Sequence, residues 1–85
     1  MPPHTERERR VVGSAVRRMR KARRLTQEQV ADGAGLGRKQ PGQLERAAVD
    51  VRLGSIILVA EGLGMRRGDF FREVAAAFDA AEKRV

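Results

Sequence analysis

The chain lacks cysteine, so neither a disulfide framework nor a thiolate metal site can staple it, and no redox compartment is implied. It holds a single histidine, His4, in a polar, proline-marked tail, which leaves Ser14 and Ser55 without a base. No carboxylate pair lies in an evident pocket either, so the residue inventory argues against an enzyme. No apolar run approaches the ~20 residues that cross a bilayer, and Met1-Pro2-Pro3-His4-Thr5-Glu6 has no apolar core of the kind a signal peptide carries. The expectation is a cytoplasmic protein with no membrane partner, no metal, no cofactor and no small-molecule substrate. Aromatic residues are scarce, and the three phenylalanines all fall near the end of the chain.

What the chain has is positive charge, with 18 Lys and Arg against 11 Asp and Glu, a net of +7 on 85 residues. Fifteen of those 18 are Arg, which fits a GC-rich genome better than it fits any one mechanism. All of the excess lies in one half: residues 1–46 carry the whole net +7, and residues 47–85 balance to zero. That segregation is expected if the first half meets a polyanion and the second does something else. A solvated basic face has the same composition, so charge alone does not decide the matter. A single domain of this size buries roughly 60–65% of the surface its unfolded chain exposes, a narrow margin that self-association would widen.

Periodicity predicts helices throughout, and no run alternates as a half-buried strand would. Val12, Ala15, Val16 and Met19 recur at helical spacing among arginines, predicting a first helix over residues 5–23. Thr26 with Gln29 three positions later is a capping-box signature that opens a second helix, with Val30 and Ala31 facing inward. Gly33 and Gly35 end it, and Leu36 is the apolar residue such a turn covers. After the connector Val49-Asp50-Val51-Arg52, the residues Leu53, Ile56, Ile57, Val59, Ala60 and Leu63 form the strongest apolar stripe, a fourth helix stopped by Gly64. A fifth starts at Gly68 or Asp69 and carries Phe70, Phe71, Val74, Ala75 and Phe78 on one side, with Asp79, Glu82, Lys83 and Arg84 near its end.

Between the second and fourth helices the sequence offers Gly37, then Arg38, Lys39, Gln40 and Gln43, then Leu44-Glu45-Arg46. Arginine, lysine and glutamine are the side chains that hydrogen-bond purine edges and phosphates, and here they follow a tight glycine turn after a short helix. The arrangement points to a helix-turn-helix whose third helix reads DNA. Pro41 and Gly42 complicate its start, because both weaken a helix interior. Either Gly37 caps the helix and Pro41 is its fourth residue, or Gln40 caps it and Pro41 takes the first helical position, where proline is tolerated. The later start is preferred, and it leaves Arg38 and Lys39 on a loop.

Residues 12–71 as a whole resemble the phage repressor and Cro type of helix-turn-helix protein, the xenobiotic-response-element (XRE) family. The resemblance rests on Val16-Arg17-Arg18-Met19-Arg20-Lys21, Leu25-Thr26-Gln27-Glu28-Gln29-Val30-Ala31, Ala34-Gly35-Leu36, Leu44-Glu45-Arg46, residues 53–57 and Ala60-Glu61-Gly62-Leu63-Gly64-Met65. It implies an all-α, five-helix, lambda-repressor-like DNA-binding domain. Helices 2 and 3 would form the motif, with the third helix in the major groove and the second across the backbone. The implied division is a polar N-terminal tail over residues 1–10 running into helix 1, the helix-turn-helix domain over residues 11–72, and the end of helix 5 over residues 73–85 as a dimerisation element. The family's base-reading positions fall on Arg38, Lys39, Gln40 and Gln43, and its phosphate contacts on Gln27, Arg17, Arg20 and Arg46. Arg20 and Glu45 match a structural salt bridge between the first and third helices. Three positions depart from the pattern: Pro41 replaces an apolar anchor, Gly42 a small polar contact and Ala47 a helix-ending glycine.

The small size and the Phe-Phe pair are similar to the controller proteins of restriction-modification systems, which bind operators as homodimers. In that likeness Phe70, Phe71, Val74 and Phe78 divide between the core and a two-fold dimer interface. The expected function is sequence-specific, operator-bound transcription regulation on double-stranded DNA, as a homodimer. The alternative is an antitoxin-like or adaptor-like protein-interaction module with weak or non-specific DNA binding, for which Pro41 and Gly42 are the best support. On that alternative the cluster Arg17, Arg18, Arg20, Lys21, Arg23 and Arg24 is solvated, or paired with Glu28 and Asp32.

Overall fold

The computed structural model describes residues 6–48 and 52–83. The expectations for His4 and the tail before residue 6, for Val49, Asp50 and Val51 of the connector, and for Arg84 lie outside the described residues. Five helices follow one another: α1 (Glu6–Ala22), α2 (Gln27–Ala34), α3 (Gln40–Glu45), α4 (Leu53–Gly62) and α5 (Arg67–Glu82). No strand occurs among the described residues. The long helices α1 and α5 pack on each other, α1 also backs α3, and α2 sits between α3 and α4. The short, polar α3 is thus held on two sides by neighbours that carry more apolar surface.

Local signals set most of the boundaries. α1 opens with Glu6 and Glu8 and closes with Arg20 and Lys21, each sign opposing the helix dipole at its end. The Thr26 hydroxyl accepts from the Gln29 amide while the Gln29 side chain accepts from the Thr26 amide, so the reciprocal cap of α2 is complete. Four helices end in the same way. The N–H of Leu25, Leu36, Ala48 and Met65 donates to the carbonyl five residues back, at 2.9–3.2 Å. In each case the preceding residue is left-handed: Arg24 (φ 57°), Gly35 (69°), Ala47 (57°) and Gly64 (71°). Glycine predicts two of these ends, and two are made by residues with a Cβ that must tolerate the conformation.

The core gathers Val16 and Met19 of α1, Val30 of α2, Leu44 of α3, Ile56 and Val59 of α4 and Phe70 and Val74 of α5. Two glycines let the helices approach closely enough to close it. A Cβ on Gly13 would lie 2.5 Å from the Leu44 carbonyl oxygen, and one on Gly62 would strike the Val30 carbonyl. Leu53, expected in the α4 stripe, is instead 68% exposed, because it is the first helical residue and projects beyond the packed faces.

Two of the residues expected at a dimer interface are corrected by their burial. Phe70 is fully buried and Val74 nearly so, both inside the common core, and neither has surface to offer a second chain. Phe71 stands edge-on to Phe70, with ring centroids 5.3 Å apart, and is 38% exposed; Phe78 is half-buried.

Candidate nucleic-acid interface

The site is organised from behind by one carboxylate. Glu45, on the last turn of α3, accepts from Arg20 Nε at 2.7 Å and Nη2 at 3.0 Å, and from Gln27 Nε2 at 3.2 Å. Arg20 Nη1 donates to the Leu25 carbonyl at 2.8 Å, so all three guanidinium nitrogens have protein partners. The two ionic side chains are only 12% and 3% exposed. A two-pronged ion pair this sheltered, with further hydrogen bonds to the Leu25 carbonyl and from Gln27, ties α1, α2 and α3 into one unit. The hydrogen bond to Glu45 raises the Arg20 pKa. A raised pKa stabilises at any pH below arginine's ordinary range and is lost only as pH climbs through the raised value, so the pair stays ionic throughout the working range. These partners support the structural role expected of Arg20, since three of its five N–H groups are taken up by Glu45 and the Leu25 carbonyl.

α3 itself begins at Gln40, with Lys39 as its cap residue and Pro41 in the first turn. Arg38 and Lys39 form the turn that leads in, and the Gln40 amide donates to the Gly37 carbonyl at 3.0 Å. The helix therefore starts one residue earlier than the preferred reading, since Lys39 already has helical backbone angles (φ −81°, ψ −18°). The two departures at its start both have structural reasons. Pro41 is among the largest fully buried side chains, so it is itself the apolar anchor, placed where its missing N–H costs nothing. Gly42 makes room: a Cβ there would lie 2.9 Å from Gln27 Oε1 and 3.1 Å from Arg46 Nη1. Sequence reasoning read both residues as losses because it weighed helix propensity and not the neighbours across the turn.

Gln27, Arg38, Lys39, Gln43 and Arg46 line one open groove of about 300 Å³ together with Glu28 and Gly42. Gln40 is exposed on the same short helix but outside the groove lining, and Arg17 is exposed on α1, apart from it. Arg38 lies 3.6 Å from Glu28 and 3.7 Å from Asp32, all three side chains being at least 60% exposed. Such pairs are loose and screened, so they restrain the guanidinium without consuming it. Among the described residues, Glu28 and Asp32 thus pair with Arg38 and not with the arginine cluster at the end of α1. Glu28 in the groove wall was missed by sequence reasoning; its place one turn before Asp32 on α2 was the available signal.

A short helix, a tight left-handed glycine turn and a second short helix with polar residues outward define a helix-turn-helix, here within a five-helix all-α domain. The chain shares that fold with a restriction-modification controller protein and a clp gene regulator. It superposes on the wild-type restriction-modification controller protein C.Esp1396I with a TM-score of 0.78 at 22% identity, over 84% of this chain and 93% of that one. On the clp gene regulator ClgR from C. glutamicum the TM-score is 0.70 at 24% identity, over 82% and 91% of the two chains. No protein-family model and no curated protein matches the sequence.

Proposed function

We propose that the chain is a sequence-specific DNA-binding transcriptional regulator that acts as a homodimer on a pseudo-palindromic operator. The observation that carries the reading is the groove at the start of α3, where Arg38, Lys39, Arg46 and the half-buried Gln43 lie beside Gln27 while a sheltered ion pair fixes the helix behind them. The fold shared with controller and regulator proteins supports the same conclusion. In this reading Arg38 and Lys39 contact guanine edges, Gln43 and Gln40 contact adenine or phosphate, and Gln27, Arg17 and Arg46 hold the backbone. Two such units lie about 34 Å apart in successive major grooves. Phe71 and Phe78, the aromatic residues of α5 that keep exposed surface, belong to the two-fold contact, which adds the second half-site's affinity.

The test is selection of bound sequences from a random duplex pool at low and near-physiological salt, with sizing of the complex. A two-fold symmetric motif that persists at the higher salt and is bound by two chains is the expected result. Binding without a motif that collapses as salt rises would instead mean charge without readout. That second outcome would identify the chain as an antitoxin-like or adaptor-like interaction module, a reading for which the six-residue length of α3 is the supporting observation.

A further inference from the structure

A second basic surface lies on the other side of α1. α1 and α5 enclose an open groove of about 550 Å³ whose one wall carries Arg7, Arg10 and Arg18, whose floor is Val11 and Ala77, and whose other wall includes Ala80. The groove stays open because α5 presents alanines where longer side chains would cover it. Arg7 and Arg18 have no ion-pair partner among the described residues, and Arg10 is held by Glu6 at 2.7 Å on the exposed rim. At about 100° per residue, Arg7, Ser14 and Arg18 sit roughly 100–140° round α1 from Gly13, the residue that abuts α3. The groove is therefore turned away from the α3 face.

We infer that this groove is a docking site for an acidic amphipathic helix of a partner protein. Charge complementarity selects an anion, since the guanidiniums of Arg7 and Arg18, unpaired among the described residues, stand along one edge and each suits a carboxylate in two-pronged geometry. Shape and chemistry select a helix. The arginines span about 16 Å, three helical turns, and the floor between the walls is apolar, so the ligand must bring a stripe of small apolar residues as well as carboxylates. A nucleic-acid backbone has no apolar stripe to fill that floor. The inference does not depend on DNA being bound at α3, and its peptide titrations are made without DNA.

The probe is a fluorescein-labelled helical peptide of about four turns, with Leu and Ala along one stripe and Glu beside it, and a second peptide with Lys in place of Glu. Fluorescence anisotropy is titrated with the full chain, with Arg7→Glu/Arg18→Glu and with Ala80→Leu; all three positions are exposed, and matching circular dichroism and thermal midpoints confirm folding. If charge reversal disturbs the fold, Arg7→Gln/Arg18→Gln replaces it. Saturable binding of the acidic peptide only, weakened about tenfold by the double charge change and about fivefold by the neutral plug Ala80→Leu, is the expected result. A random-sequence duplex should bind wild type and Ala80→Leu alike. The proposal is overturned if the acidic peptide does not bind or if Ala80→Leu leaves its affinity unchanged. It is overturned too if the double change weakens duplex as much as peptide, which makes the face a phosphate contact. Sedimentation showing self-association that the double change abolishes would also overturn it, because a second copy would then fill the groove.

Discussion

α3 and α4 solve the same problem by opposite means. α4 is held by what it buries: Ile56, Val59 and Ala60 face the core. α3 has six residues and must leave polar side chains in water, so only Pro41, Gly42 and Leu44 are buried and its last turn is fixed by Glu45 through Arg20 of α1 and Gln27 of α2. The difference teaches where each helix is encoded. A helix held by apolar burial carries its own periodic signal, whereas one held by a partly buried ion pair is specified in part by a residue 25 positions away.

The largest effect should come from the apolar side of the comparison. Phe70→Ala removes a fully buried ring and is expected to cost about 3–5 kcal/mol in urea unfolding. Glu45→Ala should cost about 3 kcal/mol by leaving the Arg20 guanidinium sheltered and unpaired. Unlike Phe70→Ala, it should also strip hydrogen-exchange protection first from α3, the element with the least apolar surface to fall back on. If the Glu45 variant instead loses protection evenly, the ion pair is not what holds α3 in place. Gly13→Ala, which sets a Cβ against the Leu44 carbonyl, should cost about 1–3 kcal/mol and separate α1 from α3. The smallest change should be a gain. Ala47→Gly relieves a left-handed alanine at the end of α3 and should add about 0.5–1 kcal/mol, while Gly64→Ala at the matching end of α4 should lose a similar amount.

Most of the fold was legible because its signals are local. The stripe of α4, the Thr26 and Gln29 cap and the glycines at 35 and 64 each announce an element within a few residues. The left-handed ends at Arg24 and Ala47 were not legible, since neither residue type favours that backbone, and they become clear only from the bonds that Leu25 and Ala48 make. Around α3 the sequence supplied the polar residues but not their division of labour. Arg20 matched two roles, and the bonds to Glu45 and Leu25 support the structural one. Phe70 and Phe71 are neighbours in the chain, and a helical turn sends one into the core and leaves the other in contact with water. The reach of Gln27 over Gly42 depends on two helices meeting at a corner, which no spacing along the chain encodes.

The central claim is that Arg38 and Lys39, at the start of α3, read base sequence as well as attract DNA. Affinities of the wild type, Arg38→Ala and Lys39→Ala for the selected operator and for scrambled duplex, at one near-physiological salt concentration, test it most directly. Each substitution should cost about 1–3 kcal/mol on the operator and far less on scrambled DNA, lowering the ratio between them. Equal losses on both duplexes would contradict the account and reduce Arg38 and Lys39 to non-specific phosphate contacts.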